Sequence, residues 1–498
     1  MRETIIMDKG QGHNVGAVFL EKAAERPNSI AFSYDTEGES LTCAQFASIV
    51  ISMASHMRRH GISPGKTVAF KSDDPVAVLS SIFSVALLGA RWVFVDPSPT
   101  LMSKAKVDLL LDTEPDPAKR HDRAVLVDAS WARPPAGTNV NEPPRFPGCQ
   151  SENDILMLSK TSGTTGTPKL VALSYRTISR RTAENIAYFP RPDMKVSGLF
   201  PSSAPALLSR YIAALVHGAE IVASRDPGVW ERRKVDFVFG STAQVRAIMA
   251  DRVLSQKLPR VHLSGATGEK LMIRHLLNSF EMVTNGYGST EGFNCLSVIH
   301  TLDPDGTVVK TTKLRGGALE LVDAEDNPVE TGQIGRVRLR NDYLADGYLD
   351  TPTANADAFR QGWFYPGDLA RWLDDGNFEV VGRINDQFNL GGVKLNAASM
   401  DFVLLSVPGI ADAICFVMPE RDRPDSLRCF LKLYPGYATD EVLSNARIAL
   451  MRLGGVAAVP ERFLFAETLP RNANGKADRR ACAEIVESRR RTRQELKM

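Results

Sequence analysis

The sequence predicts an α/β protein in which a large N-terminal domain, made of two α/β subdomains and a small β-rich subdomain, precedes a small α+β domain. Three patterns carry this reading. Strand-like and helix-like segments alternate from about residue 15 to about residue 263, the arrangement that gives sheets covered by helices. Beyond Ser297 the segments become short and alternating, separated by Asp/Gly turns. From about Ile384 to the end, strands and helices alternate again over a length that suits one compact domain.

In order, Val15 to Ala24 has helical spacing, Ser29 to Tyr34 reads as a strand, and Thr42 to His60 is a long helix stopped by Gly61 as a C-cap. Thr67 to Lys71 is a short strand, Pro75 to Leu88 a helix ahead of Gly89, and Trp92 to Val95 a buried strand closing at Asp96-Pro97. Trp131 to Gln150, rich in Pro, Gly and Asn, is a loop leading to the apolar strand Ile155-Leu156-Met157-Leu158. Helices over Ile178 to Tyr188, Leu207 to Val216 and Thr242 to Arg252 alternate with strands over Glu220 to Ala223, Val235 to Phe239 and Arg260 to Leu263. Ala318 to Val322 and Gly335 to Arg340 are strands of the β-rich part, with turns at Asp303-Pro304-Asp305-Gly306 and Asp374-Asp375-Gly376-Asn377. Ala413 to Val417 and Arg428 to Leu433 are strands of the terminal domain.

Composition excludes several classes. With 498 residues, 43% hydrophobic and 24% charged, the chain is an ordinary globular protein of several subdomains. A formal charge of +2 gives no basis for a nucleic-acid or membrane partner, and the basic Arg489-Arg490-Arg491-Thr492-Arg493 run reads as a solvated tail. The six cysteines form no Cys-x-x-Cys pair, so neither a zinc site nor a disulfide framework is expected. No secretory signal or bilayer-length apolar stretch is present, and a reducing, cytoplasmic setting is expected.

The chemistry begins at Ser159-Lys160-Thr161-Ser162-Gly163-Thr164-Thr165-Gly166-Thr167-Pro168-Lys169, directly after the Ile155 strand. Its six hydroxyls, two glycines and two lysines make a loop suited to phosphate: glycines let successive N–H groups converge on an anion, and hydroxyls and ammonium groups add donors. It is no Walker A loop, since only Thr164 and Thr165 separate its glycines. Three further runs follow: Asn285-Gly286-Tyr287-Gly288-Ser289-Thr290-Glu291-Gly292, Gly362-Trp363-Phe364-Tyr365-Pro366-Gly367-Asp368 with Gly382-Arg383, and Pro470-Arg471-Asn472-Ala473-Asn474-Gly475-Lys476. A weaker one is the small-residue turn Leu263-Ser264-Gly265-Ala266-Thr267-Gly268, which standing alone is an ordinary strand-to-helix turn.

These runs, in this order, resemble the adenylate-forming superfamily of acyl- and aryl-CoA synthetases, nonribosomal peptide adenylation domains and luciferases. The resemblance implies that Thr161, Ser162, Gly163, Thr164, Thr165, Gly166 and Lys169 hold phosphate, and that Gly265 and Ala266 border adenine and the acyl pocket. It implies that Tyr287 stacks on adenine beside Gly288, that Thr290 holds the α-phosphate, and that Glu291 helps bind Mg2+, a hard cation satisfied by one carboxylate plus phosphates. Asp368 and Arg383 then bind the ribose, and Lys476 bonds carboxylate and phosphate oxygens as the mixed anhydride forms.

The implied reaction is attack of a substrate carboxylate on the α-phosphate of ATP-Mg2+, releasing pyrophosphate. Positioning and charge neutralisation by Lys476, Thr290 and the metal suffice, because a carboxylate is already a nucleophile. A second half-reaction follows rotation of the C-terminal domain, residues 384–498, against residues 1–383. The hinge is usually Asp or Lys; here it is Asn385, a residue tolerant of unusual backbone angles. Gly391, Gly392 and Lys394 then reach the site, where the glycines admit the slim pantetheine chain of CoA; a structural hairpin with an exposed Lys394 is the alternative.

Amino-acid adenylation domains place an Asp near Phe200 to pair with the α-ammonium group. Leu199-Phe200-Pro201-Ser202-Ser203-Ala204-Pro205 has no acidic residue, so that group would lie unpaired at a cost of roughly several kcal/mol. An acid without an α-amine is expected, in a pocket bordered by Ser202, Ser203, Gly265 and Gly286. Many CoA ligases carry a His in this segment, where this chain has Ser203. The acceptor is expected to be CoA; a carrier-protein thiol or an amine is the alternative. Arg210 is expected to face solvent, with a contact to a second acidic group on the substrate as the alternative. A binding protein that has lost catalysis would lack Lys476, Glu291 or Asp368, and a Rossmann oxidoreductase would have glycine where Glu291 stands.

Overall fold

The computed structural model describes residues 13–495, apart from 37, 95–98, 134–144, 162–168, 266–269, 385–386, 391–392, 421–424 and 472–476. The chain divides into two compact units: Met1–Gly268, Met272–Ala318 and Leu339–Phe364 form the first, and Leu319–Arg338 and Tyr365–Met498, with Glu269–Leu271, form the second.

Two sheets build the first unit. One has seven strands in the order Gly347–Tyr348, Lys169–Ser174, Ile155–Thr161, Arg91–Phe94, Thr67–Lys71, Leu109–Asp112 and Val125–Leu126. Its last five strands are parallel, as the alternation of strands and helices predicts. The first two are antiparallel additions, because the chain returns from Thr161 to Lys169 through a link too short for a parallel crossover. The expected strand at Ile155 is therefore longer than its apolar core, and Thr161 and Lys169 are paired strand residues at the base of the glycine-rich loop.

The other sheet has nine strands, in the order Val308–Leu314, Phe293–Leu302, Phe280–Ser289, Leu258–Ser264, Phe237–Ser241, Lys195–Gly198, Glu220–Val222, Ile30–Ser33 and Ser40–Thr42. It runs past Ser297, where the sequence suggested that a separate β-rich part begins. The reason is local: Phe280 to Leu314 is an antiparallel meander, and alternation alone does not say which sheet a strand joins. The two faces of this sheet are distinct. Val196, Ile221, Phe237 and Phe239 point into the main core, while Val238, Val261, Leu263 and Val283 point into a second cluster under Trp230.

The helix Pro75–Leu87 lies in the main core and is buried on every side from Val78 to Leu87, as its continuously apolar sequence requires. Asp74 caps it through Val76 N and Ala77 N, and the buried hydroxyls of Ser81 and Ser84 return to carbonyls of their own helix. The helix expected from Ile178 starts earlier, at Tyr175, because Ser174 caps it. The one expected to reach Arg252 ends at Met249.

In the second unit, Gly335–Arg340 pairs with Asp368–Trp372, which pairs with Phe378–Arg383, all antiparallel. A two-stranded hairpin, Gln387–Leu390 with Val393–Asn396, is followed by a three-stranded sheet of Ile410–Met418, Ser426–Leu433 and Arg462–Phe465, with helices Ala397–Leu405, Thr439–Gly454 and Arg479–Glu495. Among the described residues, no helix is long and apolar enough to cross a membrane.

Candidate active site

Residues Asn285 to Gly292 form no simple glycine turn. Asn285 to Ser289 end the strand Phe280–Ser289, and Thr290, Glu291 and Gly292 make a three-residue hairpin tip before Phe293. Phe293 closes the tip with φ of 61°, a left-handed angle that a bulky residue adopts only when its surroundings enforce it. The surroundings are Tyr343, edge-on at 5.4 Å, and the Arg181 guanidinium 5.1 Å above the ring.

Arg181, on the helix Tyr175–Ile186, is the clamp of this tip. Its guanidinium donates to the carbonyls of Tyr343 (2.9 Å), Thr290 (2.9 Å) and Glu291 (3.1 Å). Burial pulls its pKa down to about 10, with Asp346 and Glu291 pulling the other way, so it is charged at neutral pH. The Glu291 side chain is buried and accepts from the Tyr348 hydroxyl at 2.9 Å. Tyr348 sits on the strand beside Lys169–Ser174, and the Lys169 ammonium lies 4.8 Å from its ring centroid, a cation–π distance. Lys169 and Glu291, assigned to phosphate and metal from distant motifs, thus meet on the two sides of one tyrosine. Glu291 suits Mg2+ as a hard oxygen ligand beside phosphates, with Lys169 as the nearby cation.

The strands Phe237–Ser241, Leu258–Ser264 and Phe280–Ser289 run parallel, so their C-terminal ends open on one side, where α/β sheets bind ligands. Across this edge, Ser241, Ser264, Gly286 and Ser297 stand in register, a row of small residues. Gly265 follows at φ of 98°, a left-handed turn that suits glycine, and a Cβ there would meet no described residue within 4 Å. A Cβ on Gly286 would lie 2.7 Å from the His262 ring and 3.0 Å from Asn294 Oδ1. Tyr287 is half-buried next to this row, with its carbonyl accepting from Cys295 Sγ. Ser202 turns its hydroxyl to the Asp73 carbonyl at 2.7 Å and lines a cavity with Tyr34, Phe200, Tyr211 and Arg225; Ser203 is half-buried.

Arg210 does not face solvent. It is 6% exposed, donates to Ala206 O and His262 Nε2 at 2.9 Å each, and lies over Phe239. Helical periodicity misplaced it because Arg210 occupies the apolar stripe of Pro205–His217, where an arginine is unexpected.

In the second unit, Asp368 and Arg383 are cross-strand partners joined by an ion pair of 2.9 Å, so the two proposed ribose ligands are held together. The loop carrying Lys476 is closed at its base by a bridge between Arg471 and Ala477. Ser162, Gly163, Thr164, Thr165, Gly166, Ala266, Asn385, Gly391, Gly392 and Lys476 lie outside the described residues. Lys394 is on the hairpin strand, paired with Asn389.

The sequence reading missed Tyr348, Arg181, His262 and Asn294. None lies in a glycine-rich motif, and only their convergence in space marks them.

Over residues 19–349 the sequence matches the family model described as AMP-binding enzyme. It is 24% identical over 504 residues to gramicidin S synthase 2 of Brevibacillus brevis, covering 95% of this chain and 11% of that protein. It is 30% identical over 370 residues to 2-hydroxy-7-methoxy-5-methyl-1-naphthoate–CoA ligase of Streptomyces carzinostaticus, covering 66% of this chain and 62% of that one. The chain thus spans about a tenth of the first of these relatives and under two thirds of the second. A feruloyl-CoA synthase of an Amycolatopsis species is 26% identical over 496 residues, with 94% and 98% covered. The solved structure of o-succinylbenzoate CoA synthetase from Bacillus subtilis aligns with a TM-score of 0.78 at 19% identity, covering 93% of this chain and 97% of that one, and shares the fold. With the family match extending over well more than half of the chain, the protein belongs to the AMP-binding enzymes.

Proposed function

We propose that the protein activates a carboxylic acid without an α-amino group and passes the acyl group to CoA. The substrate carboxylate oxygen bonds to the α-phosphorus of ATP, the bond to the β-phosphate oxygen breaks, and pyrophosphate leaves. The acyl-adenylate is then attacked by the CoA thiol, releasing AMP. The observation that carries the reading is the Lys169–Tyr348–Glu291 constellation beside the hairpin tip that presents Thr290. In it, Glu291 would hold Mg2+, which supplies positive charge to the phosphate oxygens when bound. Thr290 orients the α-phosphate, and Lys476 neutralises charge on the reacting oxygens.

The missing acidic residue between Leu199 and Pro205 supports an acid without an α-amine, and so does Arg210, a cation that a substrate ammonium group would have to face. The named activities of the naphthoate and ferulate relatives favour CoA as acceptor. A carrier-protein thiol or an amine is the second reading, favoured by Ser203 standing where many CoA ligases carry a His. In either case the acyl transfer follows rotation of residues 384–498 about Asn385, which brings Gly391, Gly392 and Lys394 to the adenylate.

The test is pyrophosphate release from ATP-Mg2+ across amino, fatty and aryl acids, with and without CoA. Release with a non-amino acid, and a thioester on adding CoA, is the expected result. Release only with amino acids overturns the substrate class, and no CoA turnover overturns the acceptor. Tyr348→Phe tests the constellation itself. Removing a donor from a buried carboxylate costs about 1.5–3 kcal/mol, so kcat/KM for ATP-Mg2+ should fall on the order of tenfold or more. Unchanged kinetics would detach Tyr348 from the site.

A further inference from the structure

The sheet face under the helices Tyr175–Ile186 and Pro205–His217 is apolar along Phe237 and Phe239, but the next strand puts Arg260, His262 and Ser264 on that same face. Two more residues join them: Arg210 from the helix and Arg315 from the end of the Phe293 meander. Arg315 lies 3.6 Å from the ring centroid of Tyr188 and Arg260 5.4 Å from it, while Arg210 reaches His262. Three guanidiniums therefore share one interior region. Against them, among the described residues, stand Glu184, ion-paired 3.6 Å from Arg315, and Asp236, whose charge acts on Arg260 while it pairs with Arg191. The buried Nε–H groups of Arg210, Arg260 and Arg315 have no acceptor, and Ser297 Oγ in the same interior has no partner.

The hydrogen bonds fix how Arg210 is aimed. Thr284 Oγ1 donates to Val261 O, so it accepts from His262 Nδ1–H; His262 Nε2 is then an acceptor and takes the Arg210 N–H. Burial and the three neighbouring arginines push the His262 pKa well below its ordinary value, which keeps the ring neutral in this role. Excess positive charge held away from water is costly unless an anion meets it. The cluster adjoins the small-residue row at Gly286, where a Cβ would lie 2.7 Å from the His262 ring, so the missing side chain is what lets His262 and its partner Arg210 stand at the row.

We infer that the acid activated here is a dicarboxylate: one carboxylate is adenylated, and the other is held by the arginines headed by Arg210. This rests on the adenylation proposed above. It gives the buried donors an acceptor and sets the polarity of the far end of the substrate.

The test is ATP–pyrophosphate exchange with matched acids: benzoate against isophthalate and terephthalate, hexanoate against adipate, 3-phenylpropanoate against 3-(4-carboxyphenyl)propanoate. In the wild type at least one dicarboxylate should exceed its monocarboxylate partner about 10- to 100-fold in kcat/KM, the size of one charge-assisted hydrogen bond. Arg210→Met should collapse that ratio towards one, mainly through KM, and Arg210→Lys should restore part of it. Should the methionine variant fail to fold, the same preference is read in wild-type protein as a larger rise in melting temperature with the dicarboxylate, without ATP. Exchange of monocarboxylates as fast as their partners overturns this inference and leaves the adenylation reading standing. Exchange with no acid of any kind overturns both.

Discussion

Lys476→Ala should stop adenylate formation and leave the protein folded. A lysine in the place this one holds in its family motif bonds the carboxylate and phosphate oxygens only while charge builds on them, so its loss falls on the chemical step. The expected drop in kcat for pyrophosphate release is on the order of 100- to 1000-fold, with the KM for ATP little changed. Folding should survive because the loop is held at its base by other groups. Arg471 pairs in the bridge with Ala477 and forms an ion pair with Asp412, and the Asp478 N–H donates to Pro470 O at 3.0 Å. Pre-steady-state pyrophosphate release and a melting curve decide the matter together. Near-normal release from a folded variant removes Lys476 from the mechanism.

Arg181→Met should be damaging in a different way. Methionine keeps the length of the side chain but leaves the carbonyls of Tyr343 and Thr290 without the Arg181 donor, while the Glu291 carbonyl keeps the Ala345 N–H at 2.8 Å. Each of these two groups costs about 1–3 kcal/mol, and since the losses share one site the total should be about 2–4 kcal/mol. The hairpin tip also carries the left-handed Phe293, whose backbone strain is held by the same contacts. Arg181→Met should therefore lower the melting temperature of the first unit and weaken the response of activity to Mg2+. Arg181→Lys should recover some stability but not the three-carbonyl grip, which needs a planar fork of donors. A methionine variant with wild-type stability and Mg2+ dependence would show that the tip holds itself.

Much of the fold was legible because each element announced itself locally. The helix read from Pro75 to Leu88 is found at Pro75–Leu87, and Ala318–Val322 and Gly335–Arg340 alternate cleanly enough to fix both ends. What was not legible depended on partners far away in sequence. The strand Phe293–Leu302 alternates like any two-faced strand, so nothing in it said that it extends the nine-stranded sheet. The phosphate and metal motifs could be read, but Tyr348 could not: a Gly-Tyr pair has no signature, and only the fold brings it between Lys169 and Glu291. Arg210 was misplaced for the opposite reason. A charged residue on an apolar helical stripe is expected outside, and it is inside because Ala206 O and His262 receive its donors.

The row Ser241, Ser264, Gly286 and Ser297 gives the pocket a graduated scale. The next row inward on the same face, Phe239, His262 and Thr284, lies two residues back along each strand, about 6.6 Å deeper. On the proposed reading, substrate length is measured in steps of strand register, on the order of one aromatic ring per step. The positions are not equivalent: a side chain added at Gly286 would meet the His262 ring, and Ser241 caps the helix Thr242–Met249. On that reading a longer or shorter acid calls for a change in these rows, while the hairpin tip that presents Thr290 and Glu291 stays as it is.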